Sequence, residues 1–179
     1  MGELKPIIVV MGVSGSGKSL IGEKLAEKLN LPFEDADEYH SQENIEKMKA
    51  KTALTDQDRS PWLDALAKLL SGMEILKGCV LACSALKDSY REQLSIHTQD
   101  DIHFVYLQGS FDLIFSRIDS RDGHFMKKEM LRSQFDTLEE PDEDDATYVS
   151  VDQTPDEIVD ELLDKLQIEK PSEKEGSVK

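Results

Sequence analysis

Short apolar runs alternate along the chain with longer segments in which apolar residues recur every three or four positions. The short runs are typical of strands buried in a sheet, and the recurring positions are typical of amphipathic helices. We predict five strands, within the stretches PIIVVM, LPFEDADEYH, CVLACSAL, HFVYLQG and TYVSVD. Helical segments separate all five, so the order of elements predicts an α/β fold with a parallel sheet covered on both faces.

The longest helical pattern lies in SPWLDALAKLLSGMEILKG. Here we predict that Ser60 caps the helix, that Pro61 takes its first position and that Gly78 follows its end. The predicted apolar stripe contains Trp62, Leu66, Leu69, Met73 and Leu76. Near the C-terminus, Thr154 and Glu157 form a capping-box pattern that predicts the start of a last helix.

Length and charge limit the class of protein. The chain has 179 residues, and we predict one domain over residues 1–168 with a disordered acidic tail over 169–179. The net charge is −16, most of it after residue 138, which argues against nucleic acid and anionic membranes as partners. No run reaches the roughly 18 to 20 apolar residues of a membrane helix, and the N-terminus does not resemble a signal peptide. We therefore expect a cytoplasmic protein.

The two cysteines, Cys79 and Cys83, lie on one predicted strand. Four residues at about 3.3 Å each place them about 13 Å apart, whereas a disulfide needs Cα atoms within about 7 Å. We predict buried, unpaired thiols in a reducing compartment.

The sequence GVSGSGKS, from Gly12 to Ser19, follows the first strand and opens the first helix. It fits the pattern of a P-loop, in which glycines let backbone amides surround phosphate oxygens at a helix N-terminus. In such a loop Lys18 bridges the terminal phosphates and Ser19 ligates Mg²⁺. There is no N-K-x-D guanine motif, and the chain is short for a motor or transporter ATPase. We therefore favour a small-molecule kinase.

Other polar residues follow the predicted strands and point to one cleft. Asp35 and Asp37 end the second strand, where one carboxylate could hold Mg²⁺ and the other could deprotonate an acceptor hydroxyl. Arg59, Lys87 and Arg91 are cations beside the same cleft in an acidic protein, so we predict an anionic acceptor.

A lid is predicted near Gly123, where two helical segments meet at a break. Arg117 and Arg121 are four residues apart just before this break, as expected for a segment that closes on phosphates. His124 and Gln134 are polar residues near the same hinge.

Several motifs, in this order along the chain, resemble the gluconokinase family across roughly residues 7–167. They are MGVSGSGKS, DADEYH, NIEKM, L-x-D-x-DR-x-PWL, CSALKDSYR, R-x-x-x-R-x-GHF, L-x-SQF-x-TLE-x-P and VDQTP. The resemblance implies a P-loop fold like that of nucleoside-monophosphate kinases, with three α/β/α layers and five parallel strands. It also implies a helical substrate-binding segment at about 38–78 and a lid at about 117–140. The implied reaction transfers the γ-phosphoryl group of ATP, with Mg²⁺, to the 6-hydroxyl of D-gluconate, in a homodimer.

The resemblance also assigns roles by position. The implied catalytic residues are Lys18, Asp37 and Arg121. The implied ATP-binding residues are Gly12, Ser14, Gly15, Ser16, Gly17, Lys18, Ser19, Leu20, Arg117, Arg121 and Pro155. The implied gluconate-binding residues are Asp37, His40, Arg59, Lys87, Arg91, His124 and Gln134, and the implied metal ligands are Ser19 and Asp35.

Ala36 departs from the family pattern, since a glycine is common between the two acids, and this could shift Asp37. Two alternatives stay open. One is a shikimate-kinase-like enzyme, or another kinase of a small carboxylate. The other is a nucleotide-binding regulator without catalysis, against which the intact Lys18, Ser19 and Asp37 argue.

Overall fold

The structure is a computed structural model that describes residues 3–118 and 124–168, with side chains from residue 127 onward in the second range. Its strands are β1 (Ile7–Met11), β2 (Phe33–Asp35), β3 (Cys79–Ala82), β4 (His103–Gln108) and β5 (Ala146–Ser150). Its α-helices are α1 (Lys18–Leu29), α2 (Gln42–Lys49), α3 (Asp56–Leu76), α4 (Asp88–Leu94), α5 (Phe111–Arg117), α6 (His124–Thr137) and α7 (Pro155–Leu166). A 3₁₀ turn covers Ala36–Tyr39. The predicted tail at 169–179 lies outside the described residues.

The five strands form one parallel sheet in the order β2-β3-β1-β4-β5. This confirms the predicted α/β fold and its five strands. The central strand is β1, so the loop that follows it lies at the carboxyl edge of the sheet, with two strands on either side of β1. Ligands of open α/β sheets bind at this edge.

Alternate residues of β1 face two separate cores. Ile8 and Val10 pack with residues of α1 and α7, whereas Val9 and Met11 pack with residues of α3 and α4. Every residue of β1 is buried, which explains why the strand reads as an unbroken apolar run. Cys79 and Cys83 are free and buried, as predicted.

The predicted start of α3 is wrong. The helix begins at Asp56, and Thr55 is its N-cap. The Thr55 hydroxyl accepts a hydrogen bond from the amide of Asp58, and the Asp58 carboxylate accepts one from the amide of Thr55. These two bonds form a capping box that starts the helix before the predicted cap, Ser60. Pro61 therefore lies inside the helix, where its missing N–H removes one intrahelical hydrogen bond.

The predicted apolar stripe of α3 is correct only in part. Trp62 and Leu66 are buried as expected, but Leu76 is 70% exposed. The buried face instead continues through Leu63, Ala67 and Leu70, because a stripe of steps of three and four drifts around a long straight helix.

No helix among residues 3–118 and 124–168 is long and apolar enough to cross a membrane.

Candidate active site

The glycine-rich loop leaves β1 and leads directly into α1. Gly15 and Gly17 have φ angles of 80° and 97°, in the left-handed region that favours glycine. A Cβ on Gly15 would also lie 2.8 Å from Cγ1 of Ile118, which is closer than real contacts allow. The loop therefore needs glycine at this position for both its backbone and its packing.

The inside of the loop has room and polarity for a phosphate group. Ser16 is buried, and its hydroxyl has no hydrogen-bond partner among the described residues. A Cβ on Gly12 would lie 2.8 Å from that hydroxyl oxygen, so glycine keeps the space beside it open. A buried hydroxyl without a partner costs free energy unless a ligand completes its bonds. These features fit a loop that binds nucleotide phosphates.

The ammonium group of Lys18 folds back over the loop. Nζ donates to the carbonyl oxygens of Gly12 at 3.1 Å and Val13 at 3.0 Å. Burial lowers the pKa of Lys18, while the negative charges of Asp37 and Asp35 act in the opposite direction. Two neutral carbonyls are weaker partners for an ammonium group than a phosphate is, so a nucleotide can compete for Lys18.

Asp35 connects the loop after β1 with the turn after β2. Its Oδ2 accepts a hydrogen bond from the Ser19 hydroxyl at 3.1 Å, and its Oδ1 accepts one from the Asp37 amide at 3.0 Å. The structure thus brings together the two predicted metal ligands, Ser19 and Asp35. Hydroxyl and carboxylate oxygens are the ligands that Mg²⁺ prefers. The side chain of Asp37 is exposed next to them.

The turn that carries Asp37 is anchored to α3. The indole N–H of Trp62 donates to the carbonyl oxygen of Ala36 at 2.7 Å, and the Trp62 ring stacks on His40 with centroids 4.2 Å apart. Ala36 is itself buried. Burial and the charge of Arg59 lower the pKa of His40, against the effect of Asp37, and this direction favours the neutral ring.

Two of the predicted cations share a cluster with Tyr90 and Asp56. The Lys87 ammonium donates to both carboxylate oxygens of Asp56, at 3.2 and 3.1 Å, and the Tyr90 hydroxyl donates to Oδ1 of the same group. Arg59 donates to the Tyr90 hydroxyl oxygen at 3.2 Å. The hydrogen bonds from Tyr90 and Lys87 lower the pKa of Asp56, and Asp56 raises that of Lys87. We call Asp56, Arg59, Lys87 and Tyr90 the Asp56 cluster.

Arg91 has different partners from Lys87, although the two cations lie only four residues apart. The guanidinium of Arg91 is buried and donates to the carbonyls of Ala85 and Glu139, at 2.6 and 2.8 Å, and to the Asp88 carboxylate. Lys87 is the N-cap of α4, outside the helix. In this structure Arg91 joins the loop after β3 to the segment after α6, and its contact with an acceptor stays a prediction.

Gln134 of α6 contacts the P-loop. Its Oε1 accepts a hydrogen bond from the Ser14 amide at 2.5 Å. Arg117, the last residue of α5, donates to the carbonyl of Val151, just after β5. Pro155 is the first residue of α7, as its capping box predicts.

The structure adds little about the side chains of three of the predicted site residues, Leu20, His124 and Arg121. Leu20 follows Ser19 and is about half exposed. His124 begins α6, but its side chain is not among those described. Arg121 and Gly123 lie outside the described residues, as does the predicted break between the two helices.

Reasoning from the sequence missed the functional potential of Asp56, Trp62 and Tyr90. The predicted apolar stripe includes Trp62, although the indole N–H of a buried tryptophan needs an acceptor. Asp56 and Tyr90 lie inside the motifs L-x-D-x-DR-x-PWL and CSALKDSYR, and the recurrence of polar residues beside Arg59 and Lys87 was the available signal.

Comparison with known proteins places this site in a family. The family model described as shikimate kinase matches residues 14–167. The chain is 46% identical over 150 residues to thermoresistant gluconokinase of Escherichia coli K12, across 82% of this chain and 85% of that protein. It is 44% identical over 172 residues to gluconokinase of Gluconobacter oxydans, across 93% and 94% of the two chains.

A solved structure agrees with these relatives. The crystal structure of a gluconokinase from Sinorhizobium meliloti 1021 superposes with a TM-score of 0.83 at 44% identity, covering 93% of this chain and 94% of that chain. Shikimate kinase from Aquifex aeolicus has a TM-score of 0.55 at 20% identity, which shows a shared fold alone. The P-loop, the polar strand ends and these relatives together show that the chain is a P-loop kinase and belongs to the gluconokinase family.

Proposed function

We propose that this protein transfers the γ-phosphoryl group of ATP to the 6-hydroxyl of D-gluconate, giving 6-phospho-D-gluconate and ADP. One observation carries the proposal most directly. The Asp35 carboxylate binds the Ser19 hydroxyl of the P-loop and the backbone of Asp37 at once, so the phosphate-binding loop and the candidate base are held beside each other. The gluconokinase relatives supply the identity of the acceptor.

The P-loop side of the site binds the nucleotide. Loop residues from Gly12 to Lys18 surround the phosphates, and Lys18 exchanges two backbone carbonyls for phosphate oxygens. Ser19 and Asp35 would hold Mg²⁺, which neutralises charge on the phosphates when it is bound. Arg117 and Arg121 are proposed to add positive charge from the lid, and Pro155 and Leu20 to contact the nucleotide.

Asp37 is the candidate general base. It accepts the proton of the acceptor hydroxyl as that oxygen attacks the γ-phosphorus, while the bond between this phosphorus and the β–γ bridging oxygen breaks and ADP leaves. Its backbone is fixed by Asp35 and, through the carbonyl of Ala36, by Trp62. The turn therefore holds Asp37 in place, with alanine instead of glycine before it.

The acceptor side of the site is proposed to recognise a carboxylate and a row of hydroxyls. Arg59 and Lys87 converge on Tyr90 and supply positive charge for an anionic acceptor. Neutral His40 can exchange hydrogen bonds with a hydroxyl. We also propose contacts from Arg91, His124 and Gln134, with a substrate-binding segment at about 38–78, a lid at about 117–140 and one kinase domain over 1–168. A homodimer located in the cytoplasm completes the proposal.

The position of the phosphate can be tested with a coupled assay. Purified protein, Mg·ATP and D-gluconate are incubated with 6-phosphogluconate dehydrogenase and NADP⁺, so that NADPH appears only if 6-phospho-D-gluconate forms. We expect NADPH formation that depends on ATP and on gluconate. Release of ADP without NADPH would mean that the phosphate goes elsewhere. The match to the shikimate kinase family model makes shikimate the comparison acceptor.

A further inference from the structure

Asp56 presents a carboxylate to the cations that the proposed function assigns to the acceptor. Lys87 Nζ lies 3.2 and 3.1 Å from the two oxygens of Asp56, and the Tyr90 hydroxyl donates to one of them. The charged groups come from two regions of the chain, the start of α3 and the N-cap of α4. A carboxylate of the protein is thus already bound to a cation that is proposed to bind an anionic acceptor.

Both cations of the Asp56 cluster also contact the Tyr90 ring. The guanidinium carbon of Arg59 is 5.6 Å from the ring centroid and the ammonium nitrogen of Lys87 is 5.5 Å from it. Tyr90 is buried, so it provides a fixed surface for two longer side chains. The hydrogen-bond donors of Arg59, Lys87 and Tyr90 are therefore held close together. The Asp56 carboxylate already accepts hydrogen bonds from Lys87 and Tyr90.

Helix capping does not explain the position of this side chain. Thr55 and Asp58 make the capping box of α3, and Asp58 has its own cation, Lys47, at 2.7 Å. The Asp56 side chain is 63% exposed, compared with 18% for Asp58. In the D-x-D-R part of the motif, Asp58 thus stabilises the helix start, while Asp56 faces the cation cluster and the solvent.

We propose that Asp56 is a specificity-determining residue whose carboxylate competes with the carboxylate of the acceptor for Lys87 and Tyr90. The proposal rests on the proposed function, because it takes these cations to bind an anionic acceptor. Two carboxylates next to one ammonium group repel each other. The acceptor must therefore displace Asp56 or bind against its charge. In either case Asp56 makes the binding of acidic acceptors weaker than the cations alone would allow.

The test is Asp56→Asn, which removes the charge and keeps the size of the side chain. We expect the KM for D-gluconate to fall about threefold to fivefold, as for the loss of one partly exposed charge interaction, with kcat within about twofold. The matched control is Asp64→Asn on the same helix, where Asp64 pairs with Lys68 on the surface. This control should leave the KM unchanged. An unchanged or higher KM in Asp56→Asn would overturn the proposal, and a higher KM would mean that Asp56 only positions Lys87.

A second measurement separates competition from a change in folding. Calorimetry without ATP should show tighter binding of D-gluconate by Asp56→Asn, but no tighter binding of D-glucitol, which has a similar carbon chain and no charge. Tighter binding of both compounds would contradict competition between carboxylates. If the wild-type enzyme phosphorylates another carboxylate instead, the proposed function fails, and the same comparison with that acceptor decides the role of Asp56. A wild-type protein that phosphorylates no carboxylate overturns both.

Discussion

The side-chain oxygen of Gln134 accepts a hydrogen bond from the backbone amide of Ser14 at 2.5 Å, across 120 positions of sequence. This bond joins α6 to the loop in which nucleotide phosphates are proposed to bind. The rest of the Gln134 side chain, with two N–H donors, stays next to the loop. A change in the position of α6 therefore reaches the P-loop directly.

The first prediction concerns this connection. Gln134→Ala leaves the Ser14 amide without its partner and separates α6 from the loop. We expect kcat/KM for ATP to fall about fivefold, since a bond to a backbone amide contributes about 1 kcal/mol. Steady-state kinetics with varied ATP would measure it. Gln93→Ala is the control, because Gln93 also makes one hydrogen bond to a backbone group, the Ser60 carbonyl at 3.0 Å. Equal kinetics in the two variants would show that the Ser14–Gln134 bond has no role in turnover.

The second prediction tests Asp37 as the general base. Asp37→Asn should lower kcat at least a hundredfold, because the acceptor hydroxyl loses its proton acceptor, while the Kd for ATP stays within about threefold. Single-turnover kinetics and ATP titration measure the two quantities separately. Glu38→Gln, the adjacent exposed acid in the same turn, should behave like the wild type. An Asp37→Asn enzyme with normal turnover would remove Asp37 from the mechanism, and a protein that only binds nucleotide would show no phosphorylation to lose.

The third prediction concerns Lys18. Lys18→Ala removes the ammonium group that is held over the loop by two carbonyls. If stabilisation of charge on the transferred phosphoryl group dominates, kcat should fall by two or more orders of magnitude. Lys28→Ala, near the end of the same helix, is the control and should keep full activity. Near-normal kcat in Lys18→Ala would contradict the mechanism proposed for the P-loop.

The fourth prediction concerns stability in acid. Hydrogen bonds from Lys47 and from the Thr55 amide lower the pKa of Asp58 from 3.8 to about 2. A carboxyl group with a lowered pKa in the folded state stabilises the protein above its unfolded pKa, and this stabilisation is lost as pH falls from about 4 to about 2. Asp58→Asn should therefore lower the melting temperature at pH 6 and reduce its fall between pH 5 and 2.

Circular dichroism melts at several pH values would measure this effect. Asp160→Asn, an exposed acid on α7, is the control and should keep the wild-type dependence on pH. If Asp58→Asn and the wild type lose stability in parallel as the pH falls, the ion pair with Lys47 does not stabilise the fold.

The sequence predicts the fold well because the strongest signals are local. An unbroken apolar strand, a glycine-rich turn and a capping box each need only neighbouring residues, and β1, the P-loop and α7 follow as expected. The prediction for the start of α3 is wrong because proline is also favoured at a first helical position. The capping box of Thr55 and Asp58 competes for the same helix start and determines it.

The candidate site could be predicted only in part. Ser19 and Asp35 are placed together correctly, since both follow strands of one parallel sheet at its carboxyl edge, although β3 lies between these two strands. The partners of the cations could not be read from spacing. Lys87 and Arg91 lie four residues apart, yet Lys87 binds Asp56 and Arg91 is buried against backbone carbonyls. Which acid meets which base depends on how α3 packs against α4, and this packing is long-range in sequence.

The P-loop, Asp37 and the cations Arg59 and Lys87 are all proposed to serve one reaction, the phosphorylation of gluconate. The most direct measurement is ADP release with Mg·ATP and a panel of acceptors: D-gluconate, shikimate, glycerate, glucose and nucleoside monophosphates. We predict turnover with D-gluconate far above that with any other member. Turnover with shikimate or a nucleotide instead would keep the P-loop assignment and contradict the acceptor site assigned to Arg59 and Lys87. No turnover with any acceptor would contradict the assignment as a gluconate kinase.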